Sequence, residues 1–401
     1  MKDLKELKIG LAMSGGGLRA TVFHLGVLSW LAEKELLENV TRLSTVAGGS
    51  LCAGLVFACC NNQWPSSEQF AFAKGYLRKA ILENDLQKLA LQKLVWSPQY
   101  WNTKANLLGN LMNKQLGMNL QLSELPNTPR WYINCTTHET GKRFRFTQTD
   151  MGDYVVGYTD NPNITMGDAV AASTGFPVLM GSYGLDVTRY KWERSASQTG
   201  TFRDQGGTTL HLWEGSICDS LGLEPIFNME ESGQLADGLD FMVISSATGS
   251  GALPKPDGKN SGMKRLLDIA TEQASGLRRK VILRHMEEHR DGMFLCIGNS
   301  ADYIAKQYQV PDHVAKEVTA RCMSTSEAWR IRKLPVGLGA LSSADYDTIL
   351  RHGYEVADCT YTCIFDRMQE MAPKAPVERL LNIPPADDDD PRRPSFWKVK
   401  K

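Results

Sequence analysis

The stretch from Lys8 to Ser50 constrains the fold more than any other part of the chain. Lys8 to Met13 is a short apolar run that reads as a buried strand. Ser14-Gly15-Gly16-Gly17 interrupts it, and Leu18 to Glu35 then carries Val22, Leu25, Leu28, Trp30 and Leu31 at helical spacing. Arg42 to Val46 reads as a second strand, and Ala47-Gly48-Gly49-Ser50-Leu51-Cys52 turns it into another helix. Two strand ends thereby bring a row of backbone N–H groups and one serine hydroxyl to a single sheet edge, where open α/β sheets place their sites.

The alternation continues downstream. Gln69 to Gln92 reads as a helix; Leu94 to Trp101 breaks it at Pro98 and offers Trp96, Tyr100 and Trp101; Ala105 to Leu116 resumes as a helix. These aromatics either pack on the core or form a lipid-contacting wall. Strands follow at Arg130 to Thr136 and Lys142 to Thr147, then a short helix at Met166 to Thr174 and a polar, mobile loop from Asp186 to Gly207. Thr209 to Trp213 leads into Glu214-Gly215-Ser216, with Cys218 to Leu223 turning helical. Phe241 to Ser245 and Met293 to Ile297 are late strands around a long helix from Met263 to His289, and Tyr346 to Met371 closes the pattern. The expected fold class is α/β, with a largely parallel central sheet in three α/β/α layers. A single domain is expected over residues 1–371, with a helical insert at about 62–125 and a disordered tail at 372–401, where four aspartates and several prolines cluster.

Composition excludes some partners. Lysine plus arginine equals aspartate plus glutamate at 45 each, so net charge gives no argument for nucleic acid. Nine cysteines without repeated spacing do not form a disulfide framework and read as free thiols of a reducing compartment. The charged start, Met1 to Lys8, lacks a secretory apolar region, and Leu51 to Cys60 is too short for a bilayer, which needs ~20 residues. A cytoplasmic protein without a transmembrane segment is expected, peripheral at a membrane surface.

Three motifs offer chemistry. Gly48-Gly49-Ser50-Leu51-Cys52 approximates the G-x-S-x-G turn, in which a sharp strand-to-helix bend exposes a nucleophilic serine; Cys52 stands where the last glycine belongs. An isolated match of this kind also describes an N-cap serine. Gly15-Gly16-Gly17-Leu18-Arg19-Ala20 can present amides to an oxyanion, with Arg19 bracing the loop. The same letters fit a dinucleotide fingerprint, but the end of the second strand carries Ala47 to Ser50 and no acid. His285-Met286-Glu287-Glu288-His289 has the letters of a zinc-peptidase helix, although its charged flanks read as a solvated face and no third ligand stands out. His24 reads as a packed histidine.

Taken together, Ser14 to Ala20 followed by Gly48-Gly49-Ser50 resembles the patatin-like phospholipase family, in its bacterial branch. Asn134 to Gly141, Phe144 to Phe146, Met151 to Tyr154, Asp168 to Ser173 with Phe176-Pro177, and Asp219 to Glu224 are similar to that branch in the same order. The resemblance implies a lipid acyl hydrolase working through a Ser–acid dyad, with no metal or cofactor and with a membrane phospholipid or other acyl ester as substrate. It implies Ser50 as nucleophile, Gly15, Gly16, Gly17 and Leu18 as oxyanion loop, Arg19 as its support, and Gly48, Gly49 and Cys52 around the nucleophile. Alignment of Asp219 to Gly222 puts Glu214 where the family has an aspartate general base; Asp237 and Asp204 are the competing carboxylates. A second expectation is a lapsed member that binds lipid or a partner without hydrolysis.

Overall fold

The computed structural model describes residues 6–101, 103–175, 181–193, 207–229, 233–248, 262–366, 386, 390, 393–394 and 396. The strands are β1 (Ile9–Met13), β2 (Val40–Val46), β3 (Arg130–Thr137), β4 (Arg143–Phe146), β5 (Asp150–Asp153), β6 (Gly157–Asp160), β7 (Tyr183–Asp186), β8 (Thr209–Glu214), β9 (Phe227–Asn228), β10 (Gln234–Leu235), β11 (Phe241–Ser246) and β12 (Gly292–Cys296). The helices are α1 (Gly17–Glu33), α2 (Gly48–Cys59), α3 (Ser67–Glu83), α4 (Leu86–Val95), α5 (Lys104–Gln115), α6 (Met166–Thr174), α7 (Ser216–Asp219), α8 (Gly262–His289), α9 (Ala301–Gln307), α10 (Asp312–Arg321), α11 (Thr325–Arg332) and α12 (Ser343–Asp366).

The main sheet runs β12-β11-β1-β2-β3-β4-β5-β6, and the five strands from β12 to β3 are parallel. β1 and β11 are buried at every position, as strands covered on both faces must be. Helices cover both faces, giving the three-layer α/β/α arrangement. Beyond β3 the sheet continues antiparallel, because β4, β5 and β6 follow one another through short hairpin connections.

One feature of β3 positions the site. β2 pairs alongside β3 as far as Val46 opposite Asn134, and β8 pairs antiparallel with β3 from Thr137 to Cys135, with Glu214 opposite Cys135. β4 occupies the other edge of β3 over Ile133 to Thr136. β2 and β8 therefore share one edge, run toward each other, and stop at neighbouring registers. The turn after Val46 and the turn at Glu214 meet there.

On one face, α1 lies against α12 with almost no gap: a β-carbon on Gly26 would stand 2.1 Å from Leu350 O, and one on Gly353 would stand 2.1 Å from Phe23 O. α1 is buried from Leu18 through Leu31. The helix expected from Gln69 to Gln92 is two helices, parted at Asn84 and Asp85, because the Asp85 carboxylate accepts the Lys88 amide at 2.8 Å and caps a new start. The expected tail lies largely outside the described residues, but Pro394 is buried and the Phe396 ring sits over Gly117, so this part of it packs. The loop expected from Asp186 to Gly207 falls outside them at 194–206, and Asp204 with it.

Candidate active site

The glycine loop leaves β1 at the centre of the sheet. Ser14 is pinned by its amide to Ser245 O at 3.0 Å, and its hydroxyl accepts the Ala247 amide at 2.7 Å. Gly16 (φ 132°) and Gly17 (φ 64°) then turn the chain into α1 through backbone conformations that side chains rarely adopt. Among the described residues the amides of Gly15, Gly16 and Gly17 have no hydrogen-bond partner. Leu18 differs from expectation: its amide donates to Gly337 O at 2.8 Å, so the segment after α11 already occupies that donor. The same carbonyl closes over Gly17, where a β-carbon would come within 2.3 Å of it.

Arg19 is buried at 4% exposure and fastens this segment. Its guanidinium donates to Arg332 O, to Leu334 O at 3.0 Å and to Ala247 O at 2.9 Å. Burial, and then the charge of Arg332, bring it down to about 10. His24 is fully buried, and burial lowers it to about 4, hence neutral. Its Nε2 donates to Ser14 O at 2.9 Å, so Nδ1 accepts the Ser245 hydroxyl at 2.6 Å. It locks the loop base to β11, and with its Nδ1 lone pair already taken by the Ser245 hydroxyl it has none free for a base's work.

The turn between β2 and α2 is sharp, and the residue at its tip is Ala47, with φ 46° and ψ −109°. This is the strained strand-to-helix bend that presents a nucleophile in the G-x-S-x-G turn. Ser50 is elsewhere. It lies in the first turn of α2, fully buried, with Oγ 2.9 Å from Thr45 Oγ1 and 3.0 Å from Ser173 Oγ. Ser173 spends its proton on Asn134 O at 2.8 Å, so Ser50 donates to Ser173 and accepts from Thr45. The chain of protons ends on a backbone carbonyl, and no carboxylate takes part. The expectation that Ser50 is exposed at the turn is thus corrected: α2 begins at Gly48, which carries the third helical residue inward. The sequence signal that points to Ala47 is the shifted frame Thr45-Val46-Ala47-Gly48-Gly49, whose last position is a glycine and whose centre is the bend. Gly49 permits the turn by close approach, since a β-carbon there would stand 2.2 Å from Met13 O. Cys52 is fully buried and its thiol is pushed far up by burial.

Glu214 does reach the glycine loop. A β-carbon on Gly15 would stand 3.2 Å from Glu214 Oε1, 3.4 Å from the Ala47 methyl carbon and 3.8 Å from Ser216 Cβ. The residue as a whole is only partly buried, but its carboxyl group is enclosed by protein. Burial raises it to about 7, against the pull of a hydrogen bond from the Ser216 side chain. Gly215 is needed next to it, because a β-carbon there would meet Asn134 O at 2.3 Å. The structure therefore brings together Gly15, Ala47, Glu214 and Ser216, and leaves Ser50 inside.

The rival carboxylate Asp237 is exposed in the turn before β11, at the strand end opposite the site. The His285 and His289 rings stack at 4.1 Å, with His285 bonded to Asp291 at 2.8 Å, and do not converge on a common point. Among the described residues no cluster of histidine, cysteine, aspartate and glutamate has the geometry to hold a metal ion, and no helix is long and apolar enough to cross a membrane. All nine cysteines are free thiols.

The family model for patatin-like phospholipase matches residues 11–226, more than half of the chain and the part that carries the glycine loop, the elbow and Glu214. No curated protein sequence matches the chain. Among solved structures, human GIVD cytosolic phospholipase A2 is similar at a TM-score of 0.50 and 12% identity, over 91% of this chain and 61% of that one. The chain thus spans less than two thirds of that relative's length. VipD from Legionella pneumophila is similar at a TM-score of 0.36 and 13% identity, over 90% of this chain and 67% of that one.

Proposed function

The chain belongs to the patatin-like phospholipase family, and from that premise we propose that it keeps an acyl-lipid site while lacking the residue that would attack the ester. The observation that carries this reading is the alanine at the strained tip of the β2–α2 bend. A methyl group cannot add to a carbonyl, and the buried Ser50 has neither access nor a base. The remaining parts still suit an acyl carbonyl. The amides of Gly15, Gly16 and Gly17 can hold its oxygen, and the start of α1 favours developing negative charge. Glu214 replaces the family's shorter acid, and its Oε1 and the Ala47 methyl carbon lie 3.2 and 3.4 Å from the place a β-carbon on Gly15 would take.

The test is hydrolysis of a short-chain p-nitrophenyl ester. Wild type is expected to stay at the buffer rate, and Ala47→Ser with Glu214→Asp to hydrolyse. Wild-type turnover that Ser50→Ala abolishes would overturn the reading and restore the Ser50 dyad.

A hydrolytic second reading has one observation in its favour. A carboxyl group brought to about 7 is suited to general-base work near neutral pH, and the hydroxyl bonded to it belongs to Ser216. On that reading wild type turns over and is labelled by a fluorophosphonate at Ser216, and Glu214→Gln removes both signals.

A further inference from the structure

The insert between the elbow helix and β3 carries a surface that the site does not use. Of its exposed large apolar side chains, Leu91 (53% exposed), Val95 (69%), Trp96 (86%) and Trp101 (60%) lie within eleven consecutive residues. Leu91, Val95 and Trp96 fall with Lys88 on one face of α4 at helical spacing, while Leu86 and Ala90 are buried beneath. Trp101 is tied to the end of that face by its Nε1, which donates to Leu94 O at 3.2 Å. Burying two indoles, a leucine and a valine is strongly favourable and leaving them in water is not.

Charge decides what covers them. From Leu86 to Ser123 the sequence holds Lys88, Lys93, Lys104 and Lys114 and no aspartate or glutamate, in a chain whose formal net charge is zero. Lys88 and Lys93 are exposed, and among the described residues neither pairs with a carboxylate. Indole rings with a polar N–H, short aliphatic side chains and lysines whose stems can lie along them are the chemistry of a helix lying in the headgroup layer of a membrane. We propose that the α4 face, from Lys88 to Trp101, docks the protein on an anionic phospholipid bilayer. The docking surface is also connected to the acyl site. Gln87, at the start of α4, donates its amide to Leu338 O at 3.4 Å, and Leu338 follows the Gly337 whose carbonyl covers Leu18.

The inference goes beyond the acyl-site reading and stands without it, because docking is read with vesicles and the site with a soluble ester. The full chain is sedimented with phosphatidylcholine vesicles and with mixed phosphatidylcholine–phosphatidylglycerol vesicles. Wild type is expected to pellet with the mixed vesicles and to remain largely in solution with neutral ones. Lys88→Gln with Lys93→Gln should weaken partitioning by ~30-fold, as two interfacial lysines contribute. Trp96→Ser with Trp101→Ser should weaken it by at least ~10-fold. All four positions are exposed, and unchanged thermal melting would show that the fold is kept. Equal pelleting with neutral vesicles, pelleting of the variants at the wild-type level, or no pelleting of wild type, as a protein partner would give, each overturns the proposal.

Discussion

Ala47 and Glu214 close on the same point, the place a β-carbon on Gly15 would take, from the ends of two strands that run toward each other along β3. A methyl group stands where the bend would offer a hydroxyl, and a longer carboxylate stands beside it. On the proposed reading the two differences from the family offset in size: one position lacks an oxygen and the other carries an extra methylene.

That fit orders the variants. Ala47→Ser alone places a hydroxyl against a glutamate that extends ~1.5 Å too far, a misplacement worth ~100-fold in rate. The double variant Ala47→Ser with Glu214→Asp is expected to exceed the single one by about that factor in kcat/KM on a soluble ester. Equal rates for the two would remove the volume argument.

Ser50→Ala is expected to act on stability and not on any turnover. Ser173 keeps the Ala47 amide at 2.9 Å and its own bond to Asn134 O, but Thr45 loses an acceptor inside the core. Urea unfolding should show a loss of ~1–2 kcal/mol.

Arg19→Lys should be costly although it conserves charge. Three carbonyls on two separate segments are served by one planar fork, and an ammonium cannot reach them together. A loss of ~2–4 kcal/mol is expected in urea unfolding. Faster proteolysis around residues 332–338 should accompany it, because the guanidinium holds the start of that segment through Arg332 O and Leu334 O.

The carboxyl of Glu214 titrates near 7 in the folded protein and near 4.5 when unfolded. Between those values the native state holds a proton that the unfolded chain has released, so stability falls as pH rises from about 4.5 to about 7. After allowing for the partial exposure of the residue, the effect is on the order of 1 kcal/mol. Glu214→Gln should flatten that part of the pH–stability curve, and an unchanged slope would place the carboxyl in contact with water.

Much of the fold was legible in the chain. The run from Lys8 to Val46 alternates strand and helix patterns that the structure repeats within a residue or two, because a buried parallel strand and a buried helix have different periods. Glu214 reaches the glycine loop because β8 ends opposite Cys135, one register from where β2 ends opposite Asn134 on the same edge of β3. The letters point to Ser50 while the bend falls at Ala47, for a physical reason. The letters Gly-Gly-Ser satisfy the motif, but which residue sits at the tip depends on where β2 stops and α2 starts, a boundary that hydrophobic pattern fixes poorly. The capture of the Leu18 amide by Gly337 joins residues more than three hundred positions apart, and nothing local announces it. The break at Asp85 was a capping signal inside a strongly helical stretch, outweighed by the apolar spacing around it.

The bend at Ala47 holds a conformation that costs ~1–3 kcal/mol in an ordinary residue, with no hydroxyl to justify it. Its shape is kept by Gly48 and Gly49 lying hard against Gly17 and Met13, so architecture alone maintains it. On the proposed reading, an acyl lipid that reaches this bend would leave with its ester intact, so the strained turn would serve binding alone.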